Sequence, residues 1–558
     1  MMTPCSAGIV CGARNGHRDR GAIAMDSGHD ERTDALTDGH DALSRRQFIG
    51  LGASSLAGAA LLGASGSSLD AFARRLSHPQ LQPRVTRGGT VRLMCTAGSS
   101  SDGLDPAKYS DAFSAFTAGA IYDTLVRVDG NLNLSAHLAS DFSSSPDAAV
   151  WTFRIRDGVK FHDGRPCTSA DVAYSINRVL QPKTLSGGLG GISPYLNSSG
   201  ISTPDKTTLK LTLHSANAFL PQQLALLYFG IVPEGSTTFG IGTAAFKLKS
   251  FSGSLQNLTV EKFDDYWIPG LPYLDGIVMT CVADDATRVE ALVSGQADAV
   301  IAVPPTSVGQ LTGKVKPLPL KTGVWYNMCA LKQGVFKSPL VIEALKYAQD
   351  RKTILDLISP SVHLIAADIP VPPGDEFYPA GLQPRPYDPE KAKGLLKQAG
   401  YPDGINVQLW GYPGPLLDEA VAFKSTAAPA GIQVSPMSAP HPTYFDVIWL
   451  HKPFVTDDWP RLHASVALTE MFFHNAGDNE CDFDDPHFED VVNAAFKTSN
   501  VTRQKTLLGD ALEIVNNTAG SFAPGWAAYY FGVKANLEGI FATEAGGVNL
   551  FMDKAYYS

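Results

Sequence analysis

Five of the 13 histidines fall within one stretch, at His441, His451, His463, His474 and His487. Imidazole is the commonest side-chain ligand for zinc, nickel and copper, so metal capture is the first chemistry to weigh. Ligation needs several such groups converging at short, fixed intervals, and these spacings match no compact ligand pattern. Cysteines stand at Cys95, Cys167, Cys281, Cys329 and Cys481 beyond the first 73 residues. That count is odd, so at least one thiol lacks a partner there, and with no C-x-x-C neither a zinc site nor a redox motif is indicated. The chain contains no G-x-x-x-x-G-K-[ST], no G-x-S-x-G, no H-E-x-x-H and no G-x-G-x-x-G after a strand. No cofactor is implied and no catalytic residue stands out. A hydrolase built from isolated Asp, Glu, Ser and His residues stays as an alternative class, as does capture of nickel or a metallophore.

The elements that would position a site can be read from periodicity and punctuation. A strand is expected over Thr90–Cys95, ending in a polar loop over 96–105. Trp151, Phe153 and Ile155 alternate with Thr152, Arg154 and Arg156, the period of a half-buried strand. Asp157-Gly158 then reads as a two-residue hairpin turn, with Val159 and Phe161 resuming the alternation on a second strand. Thr168 with Asp171 forms a capping box before an apolar face of Val172, Ile176, Val179 and Leu180. Ser338-Pro339 opens a further helix. Asp388-Pro389-Glu390 opens another, stopped by Gly400, since proline suits the first helical position and glycine the residue past the end. Strands and helices alternate throughout, which predicts an α/β architecture.

The N-terminus reads as an export signal. Ser44-Arg45-Arg46-Gln47-Phe48-Ile49-Gly50 precedes a short apolar run of small residues, and Ala71-Phe72-Ala73 offers the two small positions that a signal peptidase reads. The paired arginines resemble a twin-arginine signal, although Gly50 replaces the usual lysine and leaves the general secretory route open. Residues 1–73 are therefore taken as extension and signal, with Met25 as an alternative start and Arg74 near the start of the processed chain. No Cys follows the apolar core, so no lipid anchor is expected, and no later run of 18 apolar residues predicts a membrane span. Roughly 485 residues remain after cleavage, more than one core usually serves. A net charge of −10 argues against nucleic acid or an anionic membrane surface as the main partner.

Several stretches together carry a family resemblance. Gly103-Leu104-Asp105-Pro106 and Ile121-Tyr122-Asp123-Thr124-Leu125-Val126 come first. WTFRIRDGVKFHDGRPCTSADVAYSINRVL at 151–180 is the most specific. Asp265-Tyr266-Trp267, Arg288-Val289-Glu290-Ala291-Leu292, EALKYAQDR at 343–351 and YDPEKAKGLLKQAGYPDG at 387–404 follow in order. In this the chain resembles the large solute-binding proteins of oligopeptide and dipeptide ABC importers. The resemblance implies a two-lobe, Venus-flytrap α/β fold of the large peptide-binding type, with an extra subdomain in lobe one. Residues 74–87 would be a flexible arm and 88–320 lobe one. The chain would cross a hinge near 321–327, build lobe two over 321–524, and return over 525–558 to complete lobe one. The implied role is capture of a small solute, most often a peptide, for the importer's permease and ATPase subunits, in the periplasm and as a monomer.

The same resemblance points to candidate ligand-binding residues. Trp325, Tyr326 and Asn327 stand where the family's chain enters lobe two, and are expected at the cleft. In peptide-binding members, the loop after a strand such as 445–450 carries an Asp-Pro pair whose carboxylate grips the peptide's α-ammonium. This sequence reads Val455-Thr456-Asp457-Asp458-Trp459-Pro460, with Trp directly before the proline. Either Asp458 takes the ammonium by a one-residue shift, with Asp457 beside it, or Trp459 lines the pocket against an apolar or cationic cargo. The plain alternative is a surface loop with two solvated acids and a packing Trp.

Overall fold

The computed structural model describes residues 85–96, 102–109, 111–130, 132–360, 363–543 and 549–558. The export signal and most of the arm lie outside the described residues.

Two long strands organise the chain. Val315–Ala330 and Ser521–Lys534 run antiparallel, side by side, through the middle of an eleven-stranded sheet. Val315–Ala330 carries β-branched and aromatic residues, and Ser521–Lys534 is rich in aromatics and buried along nearly its whole length. Toward one edge the sheet continues through Ala299–Val300, Thr90–Cys95, Gly276–Cys281, Asn257–Lys262 and Phe246–Ser252. Toward the other it continues through Phe454–Pro460, Ile405–Gly411 and Ile432–Ser438. The expected strand Thr90–Cys95 forms as read, with Val91, Leu93 and Cys95 turned inward.

The long pair is irregular at two points, the first between Leu320 and Val324, where Gly323 sits at φ 43°, and the second between Tyr326 and Met328. A side chain at Gly323 would strike the Ala527 carbonyl and the Tyr529 amide, so only glycine fits this close crossing. Past the first shift, Trp325 pairs with Trp526 and Tyr326 with Gly525.

Each half of the sheet carries its own helices and core. Leu93, Ile277, Met279 and Phe531 anchor one cluster, against Phe113 and Phe116 of helix Ala112–Ile121. Leu345, Leu409, Phe423, Phe454 and Phe522 anchor another, under helices Pro339–Tyr347, Pro389–Gln398 and Pro415–Ala427. The first two of these three start at the prolines read from sequence, and Gly400 follows the second with φ 93°. A separate four-stranded sheet orders Ala139–Ser144, Val150–Ile155, Thr208–Thr212 and Ile201–Asp205. Helix Ser169–Val179 has the expected capping box from Thr168 and Asp171. Among the described residues, no helix is long and apolar enough to cross a membrane.

Two local expectations need correction. Asp157-Gly158 does turn the chain, with Gly158 at φ 77°, but the segments it joins do not pair with each other. Both edges of Val150–Ile155 are already taken by Ala139–Ser144 and Thr208–Thr212. Val159 and Phe161 instead bond to Cys167 and Arg165 around the next turn, at Asp163-Gly164. The second correction concerns 445–450, which is not a strand. Pro440 and Pro442 start helix His441–Val447, and the strand is Phe454–Pro460, so Asp457, Asp458 and Trp459 lie in the sheet rather than on a loop. Pairing on both sides of that strand, with Val315–Ala330 and Ile405–Gly411, overrides the turn-like Asp-Asp and Trp-Pro dipeptides.

Candidate functional site

The alternation of a strand decides where the six candidate residues point. In the antiparallel register Trp325 faces Trp459, Tyr326 faces Asp458, and Asn327 faces Asp457. Side chains alternate across a sheet, so the middle pair emerges on one face and the outer pairs on the other.

Tyr326 and Asp458 open into a cavity of about 520 Å³, within the range of small-molecule sites. Its walls come from both ends of the sheet. Thr96, Tyr109, Asp285 and Arg288 contribute from one end, Tyr412, Phe445 and Pro460 from the other, and Tyr529 from the long strand between. The Tyr412 hydroxyl donates to Asp458 Oδ1 at 3.0 Å. Burial pushes the Asp458 carboxyl up to about 6, helped by the negative charge of Glu480 and opposed by the Tyr412 bond. Glu419, on the helix that Gly414 precedes and Pro415 opens at the cavity wall, is fully buried, and among the described residues neither of its oxygens has a hydrogen-bond partner. Its carboxyl is held well above the usual range by burial and then by Asp458.

Positive charge in this cavity is already committed. Arg288 donates to the carbonyls of Val282 at 2.6 Å, Ala283 at 3.0 Å and Ala302 at 3.1 Å, and pairs with Asp285. It shapes the loop rather than offering a free cation. With Asp111, Asp285 and Asp458 on the walls, the cavity is acidic and aromatic, a setting that favours a cationic or amine-bearing guest with an apolar face.

The other face holds a different assembly. Trp325 is wholly buried and packs in a core cluster with Trp526. Asn327, Asp457 and Trp459 converge on Glu480, a residue that no sequence pattern singled out. Trp459 Nε1 donates to Glu480 Oε1 at 2.7 Å, Trp449 Nε1 donates at 3.0 Å, and Asn327 Nδ2 donates to Oε2 at 3.0 Å. The Cys329 thiol also donates to Oε2, at 2.7 Å. Asp457 shares a hydrogen bond with Glu480, and burial with that neighbouring charge drives its carboxyl well above the ordinary range. A bond between two carboxyl groups needs a proton on one of them. Trp325, Asn327, Asp457 and Trp459 therefore stand behind the cavity wall, and only Tyr326 and Asp458 of the six line it.

The histidines are dispersed. His463 caps helix Ala464–Met471 and burial lowers it to about 4, while His474 Nδ1 lies 2.7 Å from Glu489. His451 bonds the Trp449 carbonyl and His487 is exposed. The His441 side chain lies outside the described residues. Among the described residues, no group of three or more His, Cys, Asp or Glu is disposed to hold a metal ion.

A mixed sheet in two halves joined by long shared strands, with a cleft between, is the two-lobe periplasmic-binding-protein fold of the large peptide-binding type, and its solved relatives agree. The binding protein AgaA of A. tumefaciens R10, solved with agropinic acid, superposes with a TM-score of 0.74 at 26% identity, covering 84% of this chain and 99% of its own. The ABC transporter-associated periplasmic binding protein DppA of Helicobacter pylori, solved with the peptide STSA, gives 0.75 at 22% identity, covering 85% and 98%. NikA of Staphylococcus aureus, solved with Ni(L-His)2, gives 0.73 at 18% identity over 85% and 100%, a likeness of fold alone. Residues 133–470 match the family model described as bacterial extracellular solute-binding proteins, family 5. The chain belongs to that family. The glutathione-binding protein GsiB of Escherichia coli strain K12 is 31% identical over 330 residues, 57% of this chain. That match spans 63% of the relative's length.

Proposed function

We propose that this chain captures an amine-bearing solute, a peptide or peptide-like molecule, and delivers it to the permease and ATPase subunits of an ABC importer. The observation that carries this reading is the pair Tyr326 and Asp458, side by side on neighbouring strands and open to an acidic, aromatic cleft. An ammonium group placed against Asp458 would restore its ionised form and gain a charge-assisted hydrogen bond, typically worth about 1.5–3 kcal/mol. The relatives support the class of cargo: GsiB is named for glutathione and DppA was solved with a peptide, and both ligands carry an α-ammonium.

The lobes we propose are residues 88–320 with 525–558 and residues 321–524. Hinge closure about 321–327 would bury the solute between them, and the register shift between Leu320 and Val324 supports a weak point there. Export ahead of this role, by the twin-arginine-like signal at Arg45-Arg46, would place the protein in the periplasm. Calorimetric titration of purified protein with short peptides, glutathione and their N-acetylated forms tests the reading. Free-amine ligands should bind and acetylated ones should lose at least tenfold; equal affinity for both would remove the amine assignment.

A further inference from the structure

The odd count of cysteines beyond the signal resolves into one close pair and three separate thiols. Cys95 ends strand Thr90–Cys95 and Cys281 ends strand Gly276–Cys281. The two strands are parallel neighbours, and these residues are direct partners in the register. Their sulfurs lie 2.8 Å apart. Neighbouring strands lie about 4.7–4.9 Å apart, within the Cα separation that a disulfide spans. Cys95 is fully buried, whereas Cys281 keeps partial access to solvent. Cys329, by contrast, gives its thiol to Glu480.

The pair also has a particular location. Thr96, the residue after Cys95, lines the cavity, as do Ala283 and Asp285, just beyond Cys281. The carbonyls of Val282 and Ala283 are the ones that Arg288 holds. A covalent link here would tie together the two strand ends from which one wall of the cleft departs.

We propose that Cys95 and Cys281 form a disulfide in the working protein, bridging the two strands at the rim of the cleft. The more accessible Cys281 loses its proton and attacks a disulfide of the oxidant, either a thiol-oxidising protein or a low-mass disulfide. This breaks the oxidant's S–S bond and gives a mixed disulfide. Cys95 then displaces the oxidant's remaining sulfur. Two thiols become one S–S bond, and their two electrons and two protons convert the oxidant's two sulfurs to thiols. The bond closes a loop between positions 186 apart, and it favours the fold mainly by restricting the unfolded chain.

The test uses the full chain, purified under reduction and then exposed to hydroxyethyl disulfide. This oxidant is chosen because it is not a candidate cargo. Remaining thiols are alkylated and the protein is digested without reductant. Mass spectrometry should find one peptide pair joined through Cys95 and Cys281, with Cys167, Cys329 and Cys481 alkylated after unfolding. The melting temperature should fall by several degrees on reduction of the oxidised wild type. It should not respond to reductant in Cys95→Ala or in Cys281→Ser, two variants of different shape that guard against a packing defect in either one. Cys95 and Cys281 both recovered as free thiols after prolonged oxidant treatment of the folded protein would overturn the proposal. So would a linked peptide that joins either one to a different cysteine.

Discussion

Tyr326 and Asp458 are direct partners across two antiparallel strands, and they turn the same face of the sheet into the wall of the cleft. Their neighbours on those strands point the other way, toward Trp526 and Glu480. One residue of offset thus separates a side chain that meets the solute from one that supports the wall, and the predictions follow from that alternation.

Asp458→Asn removes the carboxylate from the cleft but keeps its shape and its bond from Tyr412. Affinity for amine-bearing ligands should fall by about one to two decades, the equivalent of about 1.5–3 kcal/mol. Asp457→Asn should have the milder effect, because that carboxyl bonds to Glu480 behind the wall. Isothermal titration of both variants against one ligand checks the order.

The same carboxyl sets a pH dependence for binding. Burial and the charge of Glu480 lift Asp458 to about 6, against the lowering effect of the bond from Tyr412. Above pH 6 it presents a carboxylate to the ammonium; below, it is neutral. With the ligand's α-ammonium still protonated, affinity should hold from pH 7 to about 6.5 and then fall toward a limit of about tenfold per unit. Titrations at several pH values, with Asp458→Asn as the flat reference, measure it.

Trp325→Ala should act on stability. The indole is wholly buried beside Trp526 and lies off the cavity, so its loss leaves a void costing about 3–5 kcal/mol. Thermal unfolding of the unliganded protein should show the drop. Tyr326→Leu should leave that transition near wild type and weaken the ligand instead.

A buried acid that does not itself line the cleft offers a second titration. Burial lifts the Glu470 carboxyl from its ordinary 4.5 to about 8, with the charge of Asp478 adding to it. The folded chain therefore holds a proton that the unfolded chain releases between those values. The stability this confers is complete below pH 4.5 and is lost as pH rises through 8. Glu470→Gln does not titrate. Its stability relative to wild type should grow from pH 5 to pH 8, by at most about 1.4 kcal/mol per unit, and level off above. Urea unfolding of both proteins across that range measures the difference.

Much of this architecture was legible in the residues. The caps at Thr168 and Asp388, the prolines at 339 and 389 and the glycine at 400 mark helix ends by local chemistry, and local chemistry survives folding. Strand partners were not legible, because pairing is settled by segments far apart in sequence. Val150–Ile155 was given Val159 and Phe161 as its neighbours when Thr208–Thr212 and Ala139–Ser144 take both its edges. The same gap affected the site. The stretches 325–327 and 457–459 were found by resemblance, but which of their residues reaches the cleft depends on a register that neither stretch reveals alone. Glu480 carried no signal at all: it becomes a hub because Trp449, Trp459, Asn327 and Cys329 arrive from three other segments.

The central claim is that Asp458 helps hold an amine-bearing solute in the cleft. Its most direct test is to pass wild type and Asp458→Asn through the same cell extract and repurify both without refolding. Small molecules released by denaturation are then identified by mass spectrometry. The wild type should yield near one equivalent of an amine-bearing solute, and the variant at least tenfold less of it. A wild type that releases no solute, or equal amounts of the same solute from both proteins, would contradict the account.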